Sequence, residues 1–170
     1  MLETLLVLGL CGLLWLALRG NTWQRPRSTQ ADKNAMRAYE ARSNLFVNAS
    51  ETAFFAALNR HKPAGYHVFS KVRLEDILQV RADVKDQKLR WQYRGRVKSR
   101  HVDFLICRTN GVFICAIELD GSAHRGAEAH MVDQFKDEIF KSAGLKLLRA
   151  RTGQDFEGFS RVFWAKINRN

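Results

Sequence analysis

Residues 101–120 read H-V-D-F-L-I-C-R-T-N-G-V-F-I-C-A-I-E-L-D, two runs of β-branched and aromatic residues on either side of Asn110-Gly111. Such runs form strands, and Asn-Gly between them is the strongest short-range marker of a two-residue type I′ hairpin. With that loop, Thr109 faces Val112, Cys107 faces Ile114 and Asp103 faces Glu118. Cross-strand partners share a face, as do residues two apart on a strand. Asp103, Glu118 and Asp120 therefore converge on one side of the hairpin, with His101 opposite Asp120.

Outward from the hairpin, the flanks read as helices and strands. On the amino-terminal side, Asn48-Ala-Ser-Glu51 opens a helix as a capping box, continued by Phe54, Phe55, Ala57 and Leu58 until Pro63 and Gly65. Tyr66 to Val72 alternates as a strand, Leu74 to Val80 is a short apolar set, and residues 81–98 are charge-rich. On the other side, residues 121–126 form a Gly/Ser loop, Ala127 to Ala143 has helical periodicity, and Gly144 caps its end. Leu145 to Arg149 reads as a strand parallel to the Glu118 strand, reached by a right-handed crossover, and Phe156, Phe159, Phe163 and Ile167 predict a closing helix. The order is that of an α/β fold.

The chain has 170 residues, 46% hydrophobic, with a net charge of +11, which excludes a disordered or collagenous protein and sets a prior of one domain. Charge is unevenly spread. Residues 4–18 hold none, and with Glu3 set aside the remainder carries +12. Residues 2–18 as a helix reach roughly 25 Å, the short end of a membrane span. The start lacks the basic residues, and the end the small residues, of a cleaved leader. Residues 1–19 thus read as a retained transmembrane anchor, 20–44 as a basic linker with a short helix near Ala35 to Arg42, and 45–170 as one domain. Arg19, Arg25 and Arg27 place that domain on the cytoplasmic side of the inner membrane. Cys11, Cys107 and Cys115 show neither a disulfide framework nor metal-ligand spacing.

Asp103, Glu118 and Asp120 repel one another unless a cation neutralises them or protons are shared. Hard oxygen ligands suit Mg²⁺ or Mn²⁺, which polarise a phosphodiester and activate water. The competing reading is structural, with His101 or Arg100 as counter-ion to buried carboxylates.

An Asp on one strand, Glu-x-Asp on the next and a βα crossover resemble the PD-(D/E)xK restriction-endonuclease-like superfamily. More narrowly, V-D-F-L-I-C, A-I-E-L-D-G-S-A-H, D-Q-F-K-D-E and A-G-L-K-L-L-R resemble the bacterial domain of unknown function 2726, similar in pattern to very-short-patch-repair-type endonucleases. The resemblance covers roughly Ser50 to Arg149 and implies a restriction-endonuclease-like core of helix, mixed sheet with a central hairpin, crossover helix and strand, preceded by the transmembrane helix. It implies metal ligation by Asp103 and Glu118, with the Leu119 carbonyl, Asp120 and Glu51 as further contacts. Asp120 stands where the superfamily usually has a catalytic lysine; some branches supply that lysine from the following helix, which is where Lys136 falls. His124 matches the loop histidine and would act as general acid or base. Each has a plainer role as well: Glu51 in its capping box, His124 as a solvated turn residue, Lys136 as a solvated residue beside Asp133 and Asp137.

Lys88, Arg90, Arg94, Arg96, Lys98 and Arg100, interleaved with Trp91 and Tyr93, suit phosphate neutralisation and base stacking. Strand packing of the aromatics and binding to anionic lipid are the alternatives. Together these features predict a membrane-anchored Mg²⁺- or Mn²⁺-dependent nuclease acting on DNA. A catalytically inactive nucleic-acid-binding module of the same fold, or a membrane-surface adaptor, is the competing expectation.

Overall fold

The computed structural model describes residues 29–121 and 127–169. The chain divides into two units, Met1–Ser43 and Asn44–Asn170. In the first, helix α1 (Gln30–Met36) starts at a capping box in which the Thr29 side chain accepts from the Asp32 N–H and Asp32 reaches back to the Thr29 N–H at 2.6 Å. That cap corrects the expected helix at Ala35 to Arg42, drawing it five residues towards the amino terminus. The expected anchor lies outside the described residues; among those described, no helix is long and apolar enough to cross a membrane.

The second unit is a mixed α/β structure built on one four-stranded sheet in the order β1-β2-β3-β4. The strands are β1 (Tyr66–Arg73), β2 (His101–Arg108), β3 (Phe113–Asp120) and β4 (Lys146–Arg151). β1 and β3 both run antiparallel to β2, and β4 runs parallel to β3. The helices are α2 (Ala49–Arg60), α3 (Leu74–Ile77), α4 (Gln87–Lys98), α5 (Ala127–Ala143) and α6 (Phe156–Ile167). Parallel pairing of β3 and β4 requires a long return connection, which α5 provides.

Both faces of the sheet are covered, which explains the near-continuous apolar character of β2 and β3. On one face Phe54 and Leu58 of α2 and Phe163 and Trp164 of α6 pack on Phe104, Ile106, Cys115 and Ile117. The Trp164 Nε1–H donates to the Leu58 carbonyl at 2.8 Å, tying the two helices together while satisfying a buried donor. On the other face Phe140 of α5 packs with Leu105, Cys107 and Ala116. By strand alternation Glu118 and Asp120 follow Ala116 onto the α5 face.

The hairpin differs from the expected two-residue turn. Gly111 is left-handed at φ +85° but Asn110 is not, and a type I′ loop needs both. The Asn110 Oδ1 instead accepts from the Val112 N–H at 3.2 Å, an Asx-type contact that keeps Asn110 in ordinary backbone space. The loop is therefore three residues long, closed by Arg108 N–H to the Val112 carbonyl at 2.8 Å, with the glycine at its last position. That moves the register by one, so Cys107 faces Phe113 rather than Ile114. An irregularity between Ile106 and Cys107 moves it back, and Ile106 faces Cys115 and Phe104 faces Ile117. Continued by one residue, this register sets Asp103 opposite Glu118, the pairing expected from the sequence.

Residues 87–98, whose Trp91 and Tyr93 suggested a strand, form helix α4. Asp86 caps it by accepting from the Lys88 and Leu89 N–H groups, and i to i+3 neighbours stack, Arg94 over Trp91 at 5.3 Å and Arg96 over Tyr93 at 5.9 Å.

Candidate active site

Asp103 ends the apolar run of β2 and is fixed on both carboxylate oxygens. Its Oδ2 accepts from the Leu119 N–H at 2.9 Å and its Oδ1 from Lys71 Nζ at 2.8 Å. Burial pushes its pKa up, but the Lys71 hydrogen bond, the Leu119 N–H and the charges of Lys71 and Lys136 outweigh that, holding it below the ordinary carboxylate range. Leu119, expected to contribute its carbonyl, also contacts Asp103 through its amide N–H.

Glu118 is buried on β3, and Lys136 of α5 donates to its Oε1 at 2.6 Å. The two side chains are only 11% and 12% exposed. Burial pushes the Glu118 carboxyl up to about 7, against the opposing pull of Lys136. The crossover helix thus brings Lys136 to the carboxylates, as its place in the sequence suggested.

Glu51 joins the same cluster from α2. Its N–H donates to the Asn48 cap at 2.8 Å, as a capping box requires, but its Oε2 accepts from the Val47 N–H at 3.2 Å instead of that of Asn48. Its Oε1 then accepts from Lys71 Nζ at 2.8 Å. One carboxylate serves both the helix start and the site.

Lys71 was not singled out from the sequence. It sits in β1 at φ +56°, the one non-glycine residue with positive φ among those described. A lysine there carries backbone strain of about 1 kcal/mol or more, which its surroundings must offset. Burial alone would lower its pKa, but hydrogen bonds and charges from Asp103 and Glu51 raise it above the ordinary lysine value. The signal available was a lone charge in the alternating strand Y-H-V-F-S-K-V, the same kind that marked Asp103.

Arg149 is the second such residue. It faces Glu118 across the parallel pair and its guanidinium lies 3.1 Å from Asp120 Oδ1, 2.9 Å from Asp137 Oδ1 and 3.5 Å from Asp133 Oδ1. Asp120 is therefore engaged by a fixed cation beside the Asp103–Glu118 pair. Asp133 and Asp137, expected to neighbour Lys136, turn to Arg149.

Among the described residues the counter-ions to the carboxylates are Lys71, Lys136 and Arg149, where the structural reading had His101 or Arg100. Arg100 lies over the Phe135 ring at 5.0 Å, and His101 faces Arg73 on β1, its pKa lowered first by burial and then by Lys71. His124 lies outside the described residues. Of the basic stripe, Lys88, Arg94, Arg96 and Lys98 are exposed on α4, while Arg90 and Arg100 are half-buried. Trp91 is 63% exposed, too open for a packing role.

Among the described residues no three His, Cys, Asp or Glu side chains form a ready-made metal cluster. Mg²⁺ does not need one, since it keeps several waters and binds through one or two carboxylates plus substrate phosphate. Asp103 and Glu118 are adjacent hard-oxygen donors that could hold such an ion, with Lys71 and Lys136 as their partners in its absence.

No curated protein and no solved structure shows significant similarity to this chain. Residues 42–159, from just before α2 to α6, match the family described as Protein of unknown function (DUF2726). That span contains every element of the sheet and every described residue of the site, and the chain belongs to the DUF2726 family.

Proposed function

We propose that the domain is a nuclease of PD-(D/E)xK type that hydrolyses DNA phosphodiester bonds, tethered by residues 2–18 to the inner face of the membrane. The observation that carries this reading is the pairing of Lys136 with Glu118 at 2.6 Å beside Asp103. Two strand carboxylates and a helix lysine beside them would supply an acid-acid-lysine set, although Asp120 occupies the usual lysine position. Mg²⁺ or Mn²⁺ held by Asp103 and Glu118 would polarise the phosphate and lower the pKa of a bound water.

The chain's own residues supply the rest. Lys136 steadies charge developing on the phosphate oxygens. Lys71 and the Leu119 N–H keep Asp103 ionised and oriented, and Arg149 neutralises Asp120 so that it does not add repulsion. His124 is assigned proton transfer from its position four residues beyond Asp120. Exposed Lys88, Arg94, Arg96 and Lys98 supply salt-dependent attraction to the phosphate backbone.

The purified full-length chain, incubated with linear, nicked and single-stranded DNA plus Mn²⁺, should cut at least one of them. Asp103→Ala and Glu118→Ala should not. Salt-sensitive binding without cleavage by the parent would instead establish the inactive binding module, a reading favoured by Asp120 standing in place of lysine.

A further inference from the structure

A cavity of about 590 Å³ lies between α4, the segment 78–84 that precedes it and α5. Its lining does not include Asp103, Glu118, Lys71 or Lys136, so it is separate from the carboxylate site. Leu78, Val84, Val97 and Ile139 give it apolar walls, and Tyr93 and Phe135 contribute rings. Arg94 and Arg96, stacked on Trp91 and Tyr93, also line it, and among the described residues neither pairs with a carboxylate. Arg90 is committed to structure, donating to the Arg81 carbonyl at 2.8 Å and the Val84 carbonyl at 3.2 Å, which holds the segment against α4. The one carboxylate in the lining, Glu75, is engaged by Arg73 at 2.8 Å.

An apolar, ring-lined cavity of ligand size whose lining holds two exposed guanidinium groups with no carboxylate partner among the described residues suits a flat aromatic body that carries an anion. We propose that this cavity receives one unpaired nucleotide of the bound strand, its base against Tyr93 and Phe135 and its phosphate at Arg94 and Arg96. The proposal rests on the reading of the domain as a nucleic-acid enzyme. It adds a preference for unpaired positions, because a base inside a duplex cannot leave the stack without cost.

The test is fluorescence anisotropy on the full-length chain with a labelled short single strand and its duplex. Ser142→Trp fills the cavity from an exposed lining position on α5, and Tyr93→Leu removes a ring without filling it. Each variant should weaken single-strand binding about ten-fold, as expected for the loss of one base-aromatic stack, and leave duplex binding within about two-fold. Equal weakening of both ligands, or of neither, overturns the proposal. A single strand indifferent to both variants, with thermal protection by AMP abolished by Ser142→Trp, also overturns it and assigns the cavity to a free nucleotide. None of these failures touches the cleavage reading, which stands or falls on Asp103 and Glu118.

Discussion

Lys71 Nζ lies 2.8 Å from Glu51 Oε1 and 2.8 Å from Asp103 Oδ1, so one ammonium joins the first turn of α2 to the hairpin strand β2. All three side chains are less than a fifth exposed. Removing one partner of a buried ionic contact leaves an uncompensated charge, which costs more than the contact itself contributes. Lys71→Met should therefore destabilise the domain by about 3 kcal/mol in urea unfolding. Adding Asp103→Asn to Lys71→Met should recover a substantial part of that loss. Strict additivity of the two substitutions would show that the contact is not coupled.

The Glu118 carboxyl, raised to about 7 chiefly by burial, gives a pH dependence of definite sign. Between its unfolded value near 4.5 and about 7 the folded chain holds a proton that the unfolded chain has released. Its contribution is complete below about 4.5 and is lost as the pH rises to about 7. The fall should be on the order of 3 kcal/mol, and Glu118→Gln should flatten it. Asp103, shifted the other way, contributes stability above its ordinary carboxylate pKa that is lost in acid. Unfolding curves from pH 4 to 8 in parent and Glu118→Gln separate the two; identical slopes above pH 5 would refute the Glu118 assignment.

Much of this arrangement was legible in the residues themselves. The apolar runs around Asn110-Gly111 mark the hairpin, and helical periodicity marks α2, α5 and α6, with Phe54 and Leu58 of α2, Phe140 of α5 and Phe163 of α6 turned to the core. The Asn110-Gly111 signal implies a loop one residue too short because Asn110 can either adopt left-handed backbone or accept a hydrogen bond, and here it accepts. The error was cancelled by the irregularity beside Cys107, and Asp103 still met Glu118. Helix α4 was hidden because it buries little, leaving its Asp86 cap as the main signal. Lys71 and Arg149 are not legible as site residues, since a single basic residue in a strand has no spacing rule; only the fold shows which carboxylates it reaches.

Gly111 carries the turn at φ +85°, with open space where a Cβ would lie. Gly111→Ala therefore tests conformation without a steric clash and should cost about 1 kcal/mol while leaving the sheet register intact. Thermal unfolding with amide exchange of β2 and β3 measures both. A neutral substitution would mean that the loop tolerates another backbone shape.

Asp120 pairs with Arg149 at 3.1 Å and is partly exposed. Asp120→Asn should lower stability by about 1 kcal/mol or less and keep most of the cleavage rate, whereas Lys136→Met should abolish cleavage with DNA affinity retained. Loss of cleavage in Asp120→Asn equal to that in Lys136→Met would put Asp120 at the reaction centre.

Phosphodiester hydrolysis at the Asp103–Glu118 pair, with Lys136, is the property on which the proposed function depends. It is tested most directly by measuring Mn²⁺-dependent cleavage of end-labelled DNA and DNA affinity side by side in the full-length parent and Glu118→Gln, which keeps the side chain's shape and removes its charge. The parent should cut, and Glu118→Gln should bind with unchanged affinity but cut at least a hundred-fold more slowly, on the order of the loss expected for a transition-state electrostatic group. A parent that binds without cutting, or a Glu118→Gln variant that cuts at the parental rate, would contradict it.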